Sequence, residues 1–342
     1  MASRGSILLT GGAGFIGSHV AVEVAAAGWT PVLLDNFCTS ERSVVERLGQ
    51  LISSPVQCIE ADIRDADALT GAFRSHDIRA VIHLAGLKAV GESVEKPALY
   101  QDNNVRGTEV LLQCMDHAGI HRMVFSSSCT VYGMPQHLPI DELHPWSAIN
   151  PYGQTKLDIE HMLDRWVDAG PGRHVCSLRY FNPVGAHPSA IIGESPLGIP
   201  NNLMPFVVKV ALGELRELGI FGGDWPTHDG TGVRDYIHVV DLARGHGAAL
   251  ERLDSMRHER MNLGTGVGQS VLDVVRAFER VNGVKVPYAI RPRRPGDAAS
   301  AWADPSFAAK RIGWRTTLGL DEMVRDAWAF AQRQACQVSR PD

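Results

Sequence analysis

Short apolar runs alternate with longer amphipathic segments through the first half of the chain. Ser6–Leu9, Pro31–Asp35, Val56–Glu60, Ala80–Leu84, Arg122–Ser126 and Val175–Arg179 are bounded by turn residues and separated by helix-length stretches, so they read as strands of a βαβ series. Ile7-Leu8-Leu9 and Val32-Leu33-Leu34 are apolar on both faces rather than alternating. That is the pattern of parallel strands covered by helices on each side. The predicted fold is α/β, a Rossmann-type doubly wound parallel sheet. After about Arg179 the rhythm breaks into Pro- and Gly-rich stretches (Asn182–Pro205, Gly222–Gly232, Arg291–Gly296) and short helices, the composition of a loop-built binding surface. Asp321–Gln334 reads as a final amphipathic helix and Ala335–Asp342 as a frayed tail.

Composition narrows the class. The chain has 342 residues, 44% apolar and 21% charged, with 33 basic against 38 acidic side chains and a net charge of −5. This balance disfavours a phosphate-neutralising nucleic-acid binder. No apolar run reaches the ~18–20 residues of a membrane span, and the first ten residues lack a signal-peptide apolar stretch. The six cysteines are scattered, with no Cys-x-x-Cys pair, which predicts free thiols in the cytoplasm. His117 and His121 have a helical ligand spacing, but Gly119 between them marks a helix end, so no metal is expected.

The chemistry concentrates where predicted strands end. Thr10-Gly11-Gly12-Ala13-Gly14-Phe15-Ile16-Gly17 follows the first strand and opens the first helix. Gly11, Gly14 and Gly17 provide a tight turn, close backbone approach and a helix N-terminus facing an anion, the requirements of a pyrophosphate site. Asp35 ends the next strand, where its carboxylate would bond both ribose hydroxyls and repel a 2′-phosphate, so NAD is expected rather than NADP. Asp62 and Ile63 after the third strand would reach the adenine, and Leu84, Ala85, Gly86 and Lys88 after the fourth the nicotinamide.

Tyr152 and Lys156 lie four residues apart at the start of a predicted helix and share one face. A neighbouring ammonium favours the phenolate, making Tyr152 a candidate general base and Lys156 its activator. Ser128 closes the run Ser126-Ser127-Ser128 at the end of the fifth strand, placed to bond a substrate hydroxyl and relay its proton. A nucleophilic serine is not indicated, because no Gly-x-Ser-x-Gly elbow is present.

Together Thr10–Gly17, Asp35, Ser128, Tyr152 and Lys156 resemble the extended short-chain dehydrogenase/reductase superfamily. The segments Leu84–Ser93, Arg179–Pro188, Gly198–Pro205 and Asp229–His238 narrow the resemblance to the UDP-glucose 4-epimerase (UDP-galactose 4-epimerase) family, over residues 6 to about 328. The resemblance implies an isomerase that oxidises C4 of a UDP-hexose to a ketone with bound NAD, lets the sugar rotate, and reduces its other face. It implies further NAD contacts at Phe15, Ile16, Asn36, Phe37, Cys38, Thr39, Ser40, Lys88, Asn103, Ser126, Tyr180 and Phe181. For the UDP-sugar it implies Lys88, Ser128, Tyr152, Phe181, Asn182, Asn202, Leu203, Ile220, Phe221, Arg234, Tyr236, Arg294, Asp297 and Ala301. The family usually pairs helices of its first domain into a homodimer, here Pro97–His117 and Tyr152–Asp168.

On this basis residues 1–180 form the NAD-binding domain and 181–342 mainly a smaller α/β UDP-sugar domain, with 235–255 packing back on the first. Ala301 stands where relatives confined to plain hexoses tend to carry tyrosine, which would leave room for an N-acetyl group and admit UDP-GlcNAc and UDP-GalNAc. The alternatives are a nucleotide-sugar 4,6-dehydratase, a UDP-glucuronate epimerase, a net NAD-dependent dehydrogenase and a non-catalytic NAD-binding protein. Cys129-Thr130 after Ser128, where dehydratases place Asp-Glu, weakens the first. The presence of Tyr152 and Lys156 weakens the last.

Overall fold

The structure, a computed structural model, describes residues 4–338 except 199, 201 and 295. Its strands are β1 (Ser6–Thr10), β2 (Thr30–Asp35), β3 (Gln57–Glu60), β4 (Ile78–His83), β5 (Arg122–Ser128), β6 (His174–Tyr180), β7 (Asn182–Val184), β8 (Leu218–Phe221), β9 (Val233–His238), β10 (His258–Leu263), β11 (Gly268–Ser270), β12 (Tyr288–Arg291) and β13 (Ser300–Ala301). The helices are α1 (Phe15–Ala26), α2 (Ser43–Ile52), α3 (Ala66–Ser75), α4 (Val90–Glu95), α5 (Pro97–Tyr100), α6 (Gly107–Ala118), α7 (Pro151–Asp168), α8 (Leu203–Ala211), α9 (Val239–Arg252), α10 (Val271–Asn282), α11 (Ser306–Ile312) and α12 (Leu320–Val338). A π-helical turn over Gln101–Arg106 joins α5 to α6.

The main sheet runs β10-β6-β5-β4-β1-β2-β3, and every pairing in it is parallel. The apolar runs predicted this arrangement. Successive side chains point to opposite faces, so Ile7 and Leu9 of β1 enter a core with Val20 and Val24 of α1 and Leu242 of α9. Leu8 between them enters a second core with Leu111 and Met115 of α6 and Leu163 of α7. Strand order reverses between β1 and β4, which opens a crevice at their carboxyl ends.

The seventh strand, β10, was not among the predicted strands. Its polar half, His258-Glu259-Arg260, hides the period, because those side chains are spent on ion pairs with Asp164, Arg311 and Glu160. The region after Arg179 also holds more strand than its composition indicated. β9 pairs with β11, β13 and β7, and β12 pairs with β8. These strands have two to six residues, too short to show a period. A third core joins α8, α10 and α12 to this region. α9 instead lies on α1. α12 extends beyond the predicted Gln334 to Val338, so the predicted tail from Ala335 begins as helix; residues 339–342 lie outside the described residues. Gly119 ends α6 at φ +68°. Among the described residues no helix is long and apolar enough to cross a membrane.

Candidate active site

The glycine loop is a close-packed device. Gly11 has φ +69°, and a Cβ there would stand 2.7 Å from the Ala85 amide nitrogen. A Cβ on Gly17 would stand 2.2 Å from the Gly11 carbonyl oxygen. Gly14 begins α1 with no side chain capping the helix and no acidic residue in its first turn. The free amides and positive end of the helix dipole therefore face the crevice, which is what a bound pyrophosphate requires.

The crevice is a cleft of about 350 Å³. Its walls include Gly11, Gly14, Phe15, Ile16, Gly17, Asp35, Asn36, Cys38, Thr39, Ser40, Ile63, Leu84, Ala85, Gly86, Lys88, Asn103 and Ser126. Asp35 is buried; its Oδ2 accepts from the Ala13 amide at 3.0 Å, and its Oδ1 accepts from Phe37 N and Ser40 Oγ. The residues around the glycine loop and Asp35 thus fit a dinucleotide. Of the expected contacts, Phe37, Asp62, Tyr152, Lys156, Tyr180 and Phe181 stand outside the cleft wall. Phe37 turns its ring beneath Arg42, and Asp62 is engaged by Arg64 and by Asn36 Nδ2. Arg64 holds the Asp62 carboxyl down, to about 2.

The catalytic candidates converge below the Ser126 end of this cleft. Asn150 caps α7 by accepting from Gly153 N at 2.8 Å, and Pro151 occupies the first helical position, so the helix begins immediately before Tyr152. Lys156 is buried, and its Nζ donates to the Ser126 carbonyl at 2.7 Å. The ammonium stands 5.9 Å from the Tyr152 ring centroid and 4.9 Å from that of Phe125. Burial pushes Lys156 down to about 8, opposed by the charge of Glu160. Burial pushes the Tyr152 phenol up to about 12, opposed by its hydrogen bond with Ser128. The Ser128 hydroxyl also accepts from Thr130 N and Thr130 Oγ1. Ser126 is the second partner of Tyr180, which is buried and bonds His246. Phe181 is buried with Leu157 and Tyr132.

The expected sugar-nucleotide residues fall into three groups. Strand pairing sets Asn182 beside Tyr236, and Ala301 beside Arg234. Arg234 lies in the field of Cys129, next to Ser128, while Tyr236 is buried in the third core. Phe221 on β8, after Ile220, lies beneath the Arg294 guanidinium at 4.5 Å, and Arg294 also donates to Asp297. Asn202, preceding Leu203 at the start of α8, donates to Glu194 at 2.7 Å, and Glu194 lies 3.7 Å from Lys88 Nζ. Ile199 and Asn201 lie outside the described residues.

Several wall residues were not singled out in the sequence, although the first group lies in the Asn182–Pro205 stretch expected to build a binding surface. Ile192–Leu197 lines the cleft, and Ser195 Oγ donates to Glu41. Arg47, paired with Glu41, also lines it. Asn104 in the π-helical turn accepts from Leu87 N, donates to Leu87 O and contacts Thr155, tying the loop after β4 to α7. π-helical turns recur at functional sites, but side-chain periodicity does not announce them.

A family model described as the NAD dependent epimerase/dehydratase family matches residues 7–264. The chain belongs to this family. This member of the NAD dependent epimerase/dehydratase family is 52% identical over 326 residues to the UDP-glucose 4-epimerase of Bacillus subtilis, covering 95% of this chain and 96% of that protein. It is 50% identical over 335 residues to the UDP-glucose 4-epimerase of Bos taurus, covering 96% of each. A solved UDP-glucose 4-epimerase of Stenotrophomonas maltophila, with bound NAD and formylated UDP-arabinopyranose, superposes with a TM-score of 0.95 at 47% identity over 98% of this chain and all of that one. That of Bifidobacterium longum, in complex with NAD+ and UDP, gives 0.93 at 47% identity over 96% and 99%.

Proposed function

We propose that this protein is an NAD-dependent UDP-glucose 4-epimerase interconverting UDP-galactose and UDP-glucose. The convergence of Tyr152, Lys156 and Ser128 at the end of a glycine-loop cleft carries the reading. NAD held along that cleft supplies a hydride acceptor and, after reduction, a hydride donor. Gly11, Gly14 and Gly17 would seat its pyrophosphate, Asp35 a ribose, and Lys156 the ribose nearest the reaction. Tyr152 as phenolate takes the C4 hydroxyl proton while hydride leaves C4, producing a 4-keto sugar. Ser128 bonds the C4 oxygen and aligns it. Lys156 favours the phenolate by its charge. When the ketone presents its other face, hydride returns to C4 and Tyr152 returns the proton, so configuration inverts without net oxidation.

Residues 1–180 then act as the NAD-binding part and 181–342 mainly as the UDP-sugar part. Arg234 and Arg294 would hold the diphosphate, for which a guanidinium is suited in charge and shape. Phe181, Asn182, Asn202, Leu203, Ile220, Phe221, Tyr236 and Asp297 complete the grip. Ala301 would admit an N-acetyl group, extending turnover to UDP-GlcNAc and UDP-GalNAc. The exposed Val94 and Leu99, beside the helices expected to pair, suit a homodimer, and six free cysteines suit the cytoplasm. The deciding experiment is turnover of UDP-galactose by purified protein with no added cofactor. Tyr152→Phe is expected to abolish it with NAD still bound; a Tyr152→Phe protein with near-normal turnover would remove Tyr152 as the base.

A further inference from the structure

Tyr152, Lys156 and Glu160 are spaced by four along α7 and share one face. Opposite them, β5 ends in Ser126-Ser127-Ser128. Each serine is tied to a different turn of the helix. The Ser126 carbonyl accepts from Lys156, the Ser127 hydroxyl donates to Glu160 Oε1 at 2.6 Å, and the Ser128 hydroxyl bonds Tyr152. A one-residue slip of strand against helix would break all three.

Glu160 is the most heavily held of the three. It is fully buried and receives Arg179 Nε at 3.0 Å, Arg179 Nη2 at 2.6 Å and Arg260 Nε at 2.8 Å. Arg179, also fully buried, donates its remaining nitrogen to Tyr132 Oη at 2.9 Å. Side chains from β5, β6 and β10 therefore converge on one carboxylate, one helical turn beyond Lys156. A buried ion pair gives little net stability after desolvation, so stability alone is a poor account of this arrangement.

We propose that Glu160 is a positioning residue for the epimerisation: clamped by Ser127 and Arg179, it sets the axial register of the Tyr152–Lys156 face against β5 and supplies the counter-charge to the Lys156 ammonium. This rests on the roles given above to Tyr152 and Lys156. The titratable groups around Lys156 are Tyr152 and Glu160 on its own helix and His83 on β4, which burial holds neutral. Those around Glu160 are Arg179, Arg260, Tyr132 and His258, with Asp164 one turn further along α7 paired to both Arg260 and His258. With Glu160 made neutral, Arg179 loses its counter-charge, Arg260 keeps only Asp164, and Lys156 loses the charge that opposes its desolvation. Both effects release the Lys156 proton at lower pH.

The test measures kcat and KM for UDP-galactose against pH on NAD-loaded protein. Glu160→Gln keeps the side-chain shape, and its alkaline limb is expected to move down by roughly one pH unit, the lower end of what a close charge exerts. Ser127→Ala keeps every charge; its limb should stay in place while kcat falls about tenfold at unchanged KM, as expected when a reacting group is slightly misplaced. If Glu160→Gln does not fold, Ser127→Ala alone decides. Variants that lower only the melting temperature, with wild-type kcat and pH limb, overturn the proposal. Tyr152→Phe run alongside separates the two ideas, since an active Tyr152→Phe protein overturns the base assignment instead.

Discussion

Asp35 Oδ2 accepts from the Ala13 amide at 3.0 Å, so the carboxylate at the end of β2 and the glycine loop after β1 form one unit although 22 residues separate them. On the proposed reading, the loop would present α1 to the cofactor's pyrophosphate, while Asp35 would select what that group carries. There its oxygens would accept from two ribose hydroxyls, and its charge would oppose a 2′-phosphate.

Asp35→Asn should therefore weaken NAD retention by about 2 kcal/mol, the worth of a hydrogen bond to a charged group. Cofactor recovered from denatured protein measures it. Discrimination against NADP should fall in parallel, and equal discrimination by both proteins would contradict the ribose assignment.

Gly17→Ala places a Cβ 2.2 Å from the Gly11 carbonyl, against backbone that cannot step aside. A loss of ~1–3 kcal/mol or more in unfolding free energy is expected, as for overpacked sites. Bound NAD should fall with it. Chemical denaturation showing wild-type stability would mean the loop is looser than this packing requires.

Acid should unfold the protein cooperatively. Burial holds His19 at about 3, His83 at about 3 and His246 at about 4. These values lie below that of an unfolded histidine, so the unfolded state binds more protons between pH ~6.5 and ~4. Stability from this source is complete above ~6.5 and falls as pH drops, at ~1.4 kcal/mol per pH unit for each histidine. Urea titrations at pH 7, 6, 5 and 4 would show the midpoint collapsing; a flat midpoint would mean the imidazoles find charged partners.

Ala301→Tyr should lower UDP-GalNAc turnover at least tenfold and leave UDP-galactose turnover within a few-fold, because one filled pocket costs ~1–3 kcal/mol against the larger substrate. Absence of UDP-GalNAc turnover in the wild type would remove the idea.

Much of the site was legible because its parts are local. Gly11–Gly17 lies within seven residues, Tyr152 and Lys156 within one helical turn, and Asp35 one βα unit away. The six strands of the first half showed themselves as apolar runs. What the sequence could not show is how neighbours hold individual side chains: Asp62 is engaged by Arg64, and the Phe37 ring lies beneath Arg42.

By itself, then, the sequence determined the alternating elements, the phosphate loop and the Tyr152–Lys156 face, since each depends on spacing within one or two elements. Tertiary structure alone decided that the polar segment His258–Leu263 completes the sheet, that Ile192–Leu197 lines the same cleft as the glycine loop, and that Arg179 and Glu160 meet in the interior. Those pairings join distant parts of the chain, and a charged side chain looks solvent-facing in sequence until folding brings its partner to it.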